Sequence, residues 1–595
     1  METLIIAIAS GLGFVLAYYT YGRWLGQKCF QLSKNAICPS FEFEDGHDFV
    51  PTRKSVLFGH HFTSIAGTGP IVGPAIAVMW GWLPALLWVF LGSIFVGAVH
   101  DFGSLIISMR NKGQSVGDIA GKYISPRTRF LFLLVLFLGL TVVLAIFGLV
   151  IAAVFKMYPT AIFPCLVQIP IAMGIGLFLY RKGAGILLPS LIALALMYIS
   201  VVYGDIGILY PINQYLAELP IIAWVIILLA YSLIASILPV WSLLQPRDYI
   251  NALQLFSVIL LILIGLIVAA LIGGSPIDGV RPELIIAAPM IDINAVDAPL
   301  IFPFLFITIA CGACSGFHCL VASGTSSKQI KSEHDATFLG FGSMLTEGFL
   351  ATLVILACVA GLALGIPSEN GILIGEAAWD DRYASWSSAG GLGAKVGAFV
   401  DGSANFIASM GISHSFSIAL MGVFVASFAG TTLDTACRLQ RYVVQELAST
   451  PKLKLKLLKG KYMATIAAVT SAFFLAAIPA NGPWTLTSMG TGGLILWPLF
   501  GAINQLLAGL AFLVIAAYIW RTKKPLWFII PPTIFMLCMP LWAMTIQAFF
   551  GTEAEASWLS QERWGLFSLA CATMLLELWI IIESIQCIKK ASTKK

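Results

Sequence analysis

The chain is a succession of apolar runs about 18 residues long or longer, joined by short polar or charged links. Each run is long enough to cross a hydrocarbon layer roughly 30 Å thick as an α-helix. Hydropathy and breaker residues place spans at roughly 3–20, 57–80, 84–108, 130–155, 161–180, 186–203, 220–243, 252–273, 300–321, 336–365, 412–436, 462–479, 503–520, 525–547 and 564–588. The pattern predicts an all-α, polytopic membrane protein of about fifteen transmembrane helices. A transmembrane β-barrel would show segments of about ten alternating residues. That alternation is absent from the sequence.

Composition agrees: 59% of residues are hydrophobic, 11% are charged and the mean hydropathy is +0.92, far above a soluble domain. The first twenty residues, METLIIAIASGLGFVLAYYT, lack the positive n-region and cleavage site of a secretory signal, so they read as a span. Most of the eleven cysteines fall inside apolar runs. There they read as small packing residues rather than disulfide partners. The net charge of +5 is spread over loops without a dense basic block, which argues against a nucleic acid partner.

The charges report orientation instead. Basic clusters at Arg110–Arg129, Arg181-Lys182, Arg247, Lys328–Lys331, Arg438–Lys461, RTKK (521–524) and the terminal KKASTKK fall on one side. Loops rich in acid, Gly204–Pro220, Gly274–Leu300, Ile366–Ser403 and 551–563, fall on the other. The positive-inside rule then puts the N-terminus outside and the C-terminus in the cytoplasm. A full crossing by PWTLTSMGTGGLILWPLFG (483–501) would place RTKK outside, so a re-entrant or broken element is expected there. Such backbone is tolerated at membrane depth only when it is buried in protein or lines a wet cavity.

The spans divide into an extra N-terminal helix (1–30), five spans over 56–203, five more over 220–365, and C-terminal helices over 390–595. An odd number of crossings per set inverts the second relative to the first, the arrangement of many secondary transporters. The first span of one set is interrupted at Gly67-Thr68-Gly69-Pro70, and the first span of the other carries LPVW around Pro239. Breaks in corresponding spans point to a binding site. Thr68, Gly69 and Pro70, with Pro239 and Trp241, are therefore the candidate substrate residues. The carbonyls of Ala66 and Gly67, and the hydroxyls of Thr308 and Ser315, are candidates for holding a cation. The bland alternative is a proline kink repaired by neighbouring side chains.

Four ionisable residues are candidates for proton handling. Glu347 lies near the middle of its span, where a charge costs at least ~2.5–3.5 kcal/mol. His60 and His61 lie about two turns from the first break and Asp101 lies in the next span, so an imidazole–carboxylate pair is expected among them. Asp434 has Arg438 four residues on, which reads as a local helix pair. Cys311, Cys314, His318 and Cys319 share a helical face, but spread along about 12 Å of helix they are too far apart to close a zinc site. No metal and no cofactor are expected; the coupling ion is a proton or sodium.

Six segments carry a family resemblance: EDGHDFVPTRKSVLFGHHFTSIAGTGPIVGPAIA (44–77), GAVHDFGSLIISMRNKGQSVGDIA (97–120), SLIASILPVWSLLQPRDYIN (232–251), PFLFITIACGACSGFHCLVASGTSSKQI (303–330), TTLDTACRLQRYVVQEL (431–447) and LWPLFGAINQLLAGLA (496–511). They resemble, in order, the signature segments of the carbon starvation protein A family. The resemblance implies a bacterial or archaeal cytoplasmic-membrane transporter of peptides and, in some members, pyruvate. It also implies kinship with the amino acid–polyamine–organocation superfamily, built on inverted five-helix repeats with broken first helices. Where the family carries GAISGFHSLV, this chain has Cys314 and Cys319, which again marks those thiols as packing variants.

The expected function is cation-coupled uptake of small peptides or a small carboxylate across the bilayer. The alternative is a membrane sensor binding the same ligands without transport. A sensor should carry an output domain, and the longest cytoplasmic link between spans, Cys437–Lys461, is short. No nucleotide loop, HExxH or GxSxG supports an enzyme. The oligomeric state is not legible.

Overall fold

Glycine, proline and the apolar runs cut the chain into helices whose ends fall mostly at those breakers. The computed structural model describes residues 1–182, 186–369, 371–450, 455–479, 482–492, 496–552 and 555–592. The principal helices are α1 (Glu2–Cys29), α2 (Lys54–Ala66), α3 (Gly69–Ala77), α4 (Trp82–Met109), α5 (Pro126–Met157), α6 (Pro159–Phe178), α7 (Leu187–Tyr203), α8 (Leu209–Glu218), α9 (Ile221–Ile237) and α10 (Leu244–Ile272). They continue with α11 (Ile301–Thr308), α12 (Gly316–Gly324), α13 (Glu333–Leu364), α14 (Leu392–Ala408), α15 (His414–Ala448), α16 (Lys461–Ala476), α17 (Trp497–Arg521), α18 (Ile530–Phe550) and α19 (Trp564–Ser592). Among the described residues the sole sheet is a two-stranded antiparallel hairpin, Ile366–Ser368 with Gly371–Leu373.

Ten helices are long and apolar enough to cross a membrane, and up to twelve if each bent pair counts as one span. The bent pairs are α2 with the helix ending at Trp80 (43°) and α8 with α9 (105°). The expectation of about fifteen exceeds this because α7 and α16 are shorter than a full span, and the run expected over 300–321 is two short helices, α11 and α12. Of the expected re-entrant element, residues 482–492 run in turns and α17 begins at Trp497, while 493–495 lie outside the described residues.

Two long helices, α5 and α15, pack along each other, both largely buried. Most of the surface of α1, α18 and α19 faces outward, as expected of helices meeting lipid on the rim. Around α5 and α15, α2 lies on α10, α4 on α12, α13 on α3, and α17 on α12. That packing brings the break between α2 and α3 against the break between α11 and α12.

Candidate functional site

The first break is made by local chemistry. Gly67 has φ +20° and ψ −145°, a conformation that side-chain-bearing residues rarely adopt. A Cβ there would stand 2.7 Å from the Thr432 hydroxyl and 2.9 Å from the Phe147 ring. Pro70, in the first turn of α3, has no N–H to return to the Ala66 carbonyl, so the helix cannot run through. The Thr68 hydroxyl, fully buried, has no hydrogen-bond partner among the described residues.

The second break is made by distant side chains. After α11 ends at Thr308 the backbone leaves the helix, and it re-enters at Gly316. Trp88 donates to the Ile309 carbonyl (3.2 Å) and Ser93 to that of Gly312 (3.0 Å), both from α4. From α17, Gln505 donates to the carbonyls of Phe306 (3.1 Å) and Ala310 (3.3 Å), while the Asn504 side-chain oxygen accepts from the Phe317 N–H (2.9 Å). Asn504 thus caps α12 from another helix, and Gln505 holds the carbonyls at the end of α11. The two breaks touch: a Cβ on Gly69 would meet Cys311 Sγ at 2.2 Å, and one on Gly73 the Thr308 carbonyl oxygen at 2.3 Å.

Beside this crossing lies a chain of ionisable groups from three spans, all fully buried. Asp101 of α4 takes His100 Nδ1 at 2.9 Å on one oxygen and His318 Nδ1 of α12 at 2.9 Å on the other. On its far side His318 Nε2 stands 3.4 Å from Glu347 Oε2 of α13, within ion-pair reach but not aligned as a hydrogen bond. Among the described residues, neither Glu347 oxygen accepts a hydrogen bond. An imidazole held between two carboxylates can take a proton at one nitrogen and release it at the other.

Several expectations are corrected by this geometry. His60 and His61 do not pair with Asp101. His60 Nδ1 lies 2.6 Å from Asp248 Oδ2, and His61 Nδ1 lies 2.8 Å from the Ser326 hydroxyl. Asp434 pairs with Arg247, not with its helix neighbour Arg438. Arg247 also binds Asp248 (2.8 Å), and Ser232 donates to Asp434 (3.0 Å), so His60 belongs to a closed ionic knot joining α2, α9, α10 and α15. Arg438 reaches Asp48 (2.7 Å) and the carbonyls of Ala235 and Leu238 instead.

Pro239 does not break a span: α9 ends at Ile237, and Pro239 lies in the turn before α10. Trp241, in the same turn, donates to the Gly46 carbonyl (3.2 Å), away from the crossing. The second break sits about seventy residues further on. Ser315 is engaged by both ends of the Asn504 amide (2.9 and 3.1 Å), so its hydroxyl is not free for a cation. Thr308 is half-buried and faces a cavity. Thr68, Gly69 and Pro70, with Ala66 and Gly67, do lie at the first break. Reasoning from sequence missed His318 as a partner of Asp101 and Glu347. The signal available was a histidine in the middle of an apolar span, which was weighed there only as a zinc ligand.

That cavity, of about 480 Å³, opens beyond the crossing. Ile76 and Thr308 line it near the crossing, and Trp386, Trp497 and Trp558 line it further out. Lys395, Asp297, and Arg563 paired with Glu555 (3.1 Å) supply its charges. Among the described residues no group of three or more His, Cys, Asp or Glu is arranged to hold a metal.

A nearly all-helical, multi-pass membrane protein with two helix breaks packed against each other, and a buried carboxylate–imidazole chain beside them, has the build of a membrane transporter. The chain belongs to the carbon starvation protein CstA family, whose match covers residues 2–543. It is 32% identical to the peptide transporter CstA of Campylobacter jejuni over 586 residues, spanning 91% of this chain and 80% of that one. It is 30% identical to the pyruvate/proton symporter BtsT of Escherichia coli over 611 residues, 92% of this chain and 82% of that one. A solved manganese transporter of Eremococcus coleocola superposes over 91% of this chain and 99% of that one, at 11% identity and a TM-score of 0.47, too low to carry an argument. The family and these relatives are transporters, not enzymes.

Proposed function

We propose that this protein is a proton-coupled uptake transporter for small peptides or a small carboxylate such as pyruvate. The observation that carries the reading is the Asp101–His318–Glu347 chain, buried beside the first break, where the fully buried Thr68 hydroxyl has no partner among the described residues. The ground for a proton is the same chain, together with 30% identity to a pyruvate/proton symporter. Sodium has no comparable support, since Ser315 is already engaged. In this reading the substrate meets Thr68 and the free backbone around Ala66 to Pro70, and proton transfer through His318 alters how α12 and α13 hold that region.

The same reading assigns fifteen crossings: the ten long helices, the two bent pairs, α7, α16, and α11 with α12. It places the inverted repeat differently from the division at 56–203 and 220–365. One set is α2/α3, α4, α5, α9 and α10. The other is α11/α12, α13, α15, α16 and α17. The support is reciprocal packing: α4 lies on α12 as α13 lies on α3, α10 on α2 as α17 on α12, and α9 on α15 as α16 on α5. Seven crossings then separate the two starts, which inverts the second set. The basic clusters fall on one face with the N-terminus outside and the C-terminus cytoplasmic.

The test is uptake of labelled pyruvate and of a labelled dipeptide into proteoliposomes, under an imposed proton gradient and then a sodium gradient. Accumulation should follow the proton gradient alone. Glu347→Gln should cut it by about a hundredfold, the lower end for losing a positioned proton-transfer group, while the purified variant keeps its thermal stability. Full accumulation in that variant would sink the coupling assignment.

A further inference from the structure

Lys395 is set in an unfavourable place for a lysine. It occupies the first turn of α14, where the helix dipole repels a cation, and the helix N-terminus has no side-chain cap. The residue is 9% exposed, and among the described residues no carboxylate, carbonyl or hydroxyl pairs with its ammonium. Its neighbour on the same helix, Asp401, is by contrast paired with Arg382 at 2.6 Å. An ammonium on a mostly buried side chain without a protein partner favours an anion beside it. Lys395 and Gly390, at this uncapped end, both line the 480 Å³ cavity.

We propose that the cavity is a second substrate site, which captures a ligand carboxylate between the Lys395 ammonium and the uncapped N-terminal amides of α14 before the ligand reaches the crossing. The inference rests on the transporter reading, in which this face is the outer one. A carboxylate placed there answers the lysine and the dipole with one group. Trp386, Trp497 and Trp558 give the rest of the ligand apolar and stacking surface without selecting a particular side chain. Asp297, exposed at the cavity wall, suits the ammonium of a peptide. The site therefore takes zwitterionic peptides as well as simple carboxylates.

The experiment compares alanyl-alanine with alanyl-alaninamide, which lacks the carboxylate, in proteoliposome uptake by the wild type, Lys395→Met and Lys395→Arg. Lys395→Met should raise KM for the acid by roughly thirtyfold or more, the scale for truncating one partner of a buried charge pair. It should leave KM for the amide and the saturating rate unchanged, and Lys395→Arg should restore the acid preference. Equal effects on acid and amide, or no effect on either, overturn the proposal while leaving the transporter reading intact. If the wild type moves neither compound, the transporter reading fails. Tryptophan quenching of the purified protein by alanyl-alanine and by pyruvate then decides the site: quenching lost in Lys395→Met supports it, and no quenching in the wild type overturns it.

Discussion

The two broken spans differ in how their freed backbone groups are treated. Between α11 and α12, Trp88, Ser93, Asn504 and Gln505 reach in from two other helices and engage carbonyls and an amide around the gap. Between α2 and α3 the repair is thin: Thr432 donates to the Ser64 carbonyl (3.2 Å), Pro70 offers nothing to Ala66, and the Thr68 hydroxyl stays unpaired. Irregular backbone at membrane depth is thus not in itself a binding site. A gap braced by fixed side chains is scaffold, whereas a gap left open has polar groups for a ligand to satisfy.

The largest test of this contrast is Asn504→Leu. It would strand the Phe317 N–H and the Ser315 hydroxyl in a dry site, each at about 1–3 kcal/mol. The expected result is a loss of several kcal/mol, read as a sharp fall in the thermal midpoint and yield of purified protein. A variant as stable as the wild type would mean that the second gap is not braced from α17.

The same contrast explains what could be read in the sequence. The first break was legible because its causes are local: a glycine with a restricted conformation and a proline without an N–H, adjacent in the chain. The second was not, since its braces lie about 190 to 220 residues away in sequence and CGACSG reads only as small residues. Pro239 drew attention as a breaker, yet a proline just past a helix end stops a span as readily as it interrupts one. The long apolar spans were legible because bilayer thickness imposes a length on every crossing. The partners of Glu347 and Asp101 were not, because helix packing alone decides which histidine of several reaches them. Lys395 gave no signal in a stretch whose topology the sequence left open.

A smaller effect of opposite sign is expected at the first gap. Valine has the shape of threonine without the hydroxyl, so Thr68→Val removes an unpaired buried group. Stability should hold or rise by about 1 kcal/mol. Substrate KM should nevertheless rise roughly tenfold, equal to about 1.4 kcal/mol, if that hydroxyl meets the ligand. Ser315→Ala at the braced gap should do the reverse, costing stability without moving KM. Thr68→Val that destabilises the protein and leaves uptake untouched would erase the distinction between the gaps.

The smallest effect concerns how the open gap is anchored. The segment leading into α2 is pinned by Asp48, which lies 2.7 Å from Arg438 and 3.5 Å from Arg441 of α15. Burial raises the Asp48 carboxyl, but Arg438, Arg441 and Lys328 outweigh it and hold it at about 2. The folded value is thus below the ordinary carboxylate value of about 3.9. The pairing therefore contributes stability above about pH 4, and that contribution is lost as pH falls towards 2. Asp48→Asn should cost about 1 kcal/mol near neutrality, as for a partly screened pair, and should flatten the dependence of the thermal midpoint between pH 4 and 2. Because residues 30–53 lead directly into α2, the half-helix before the open gap, the variant should also make them more accessible to protease. Superimposable pH curves for variant and wild type would show that this segment is held by its packing and not by the Asp48 charge.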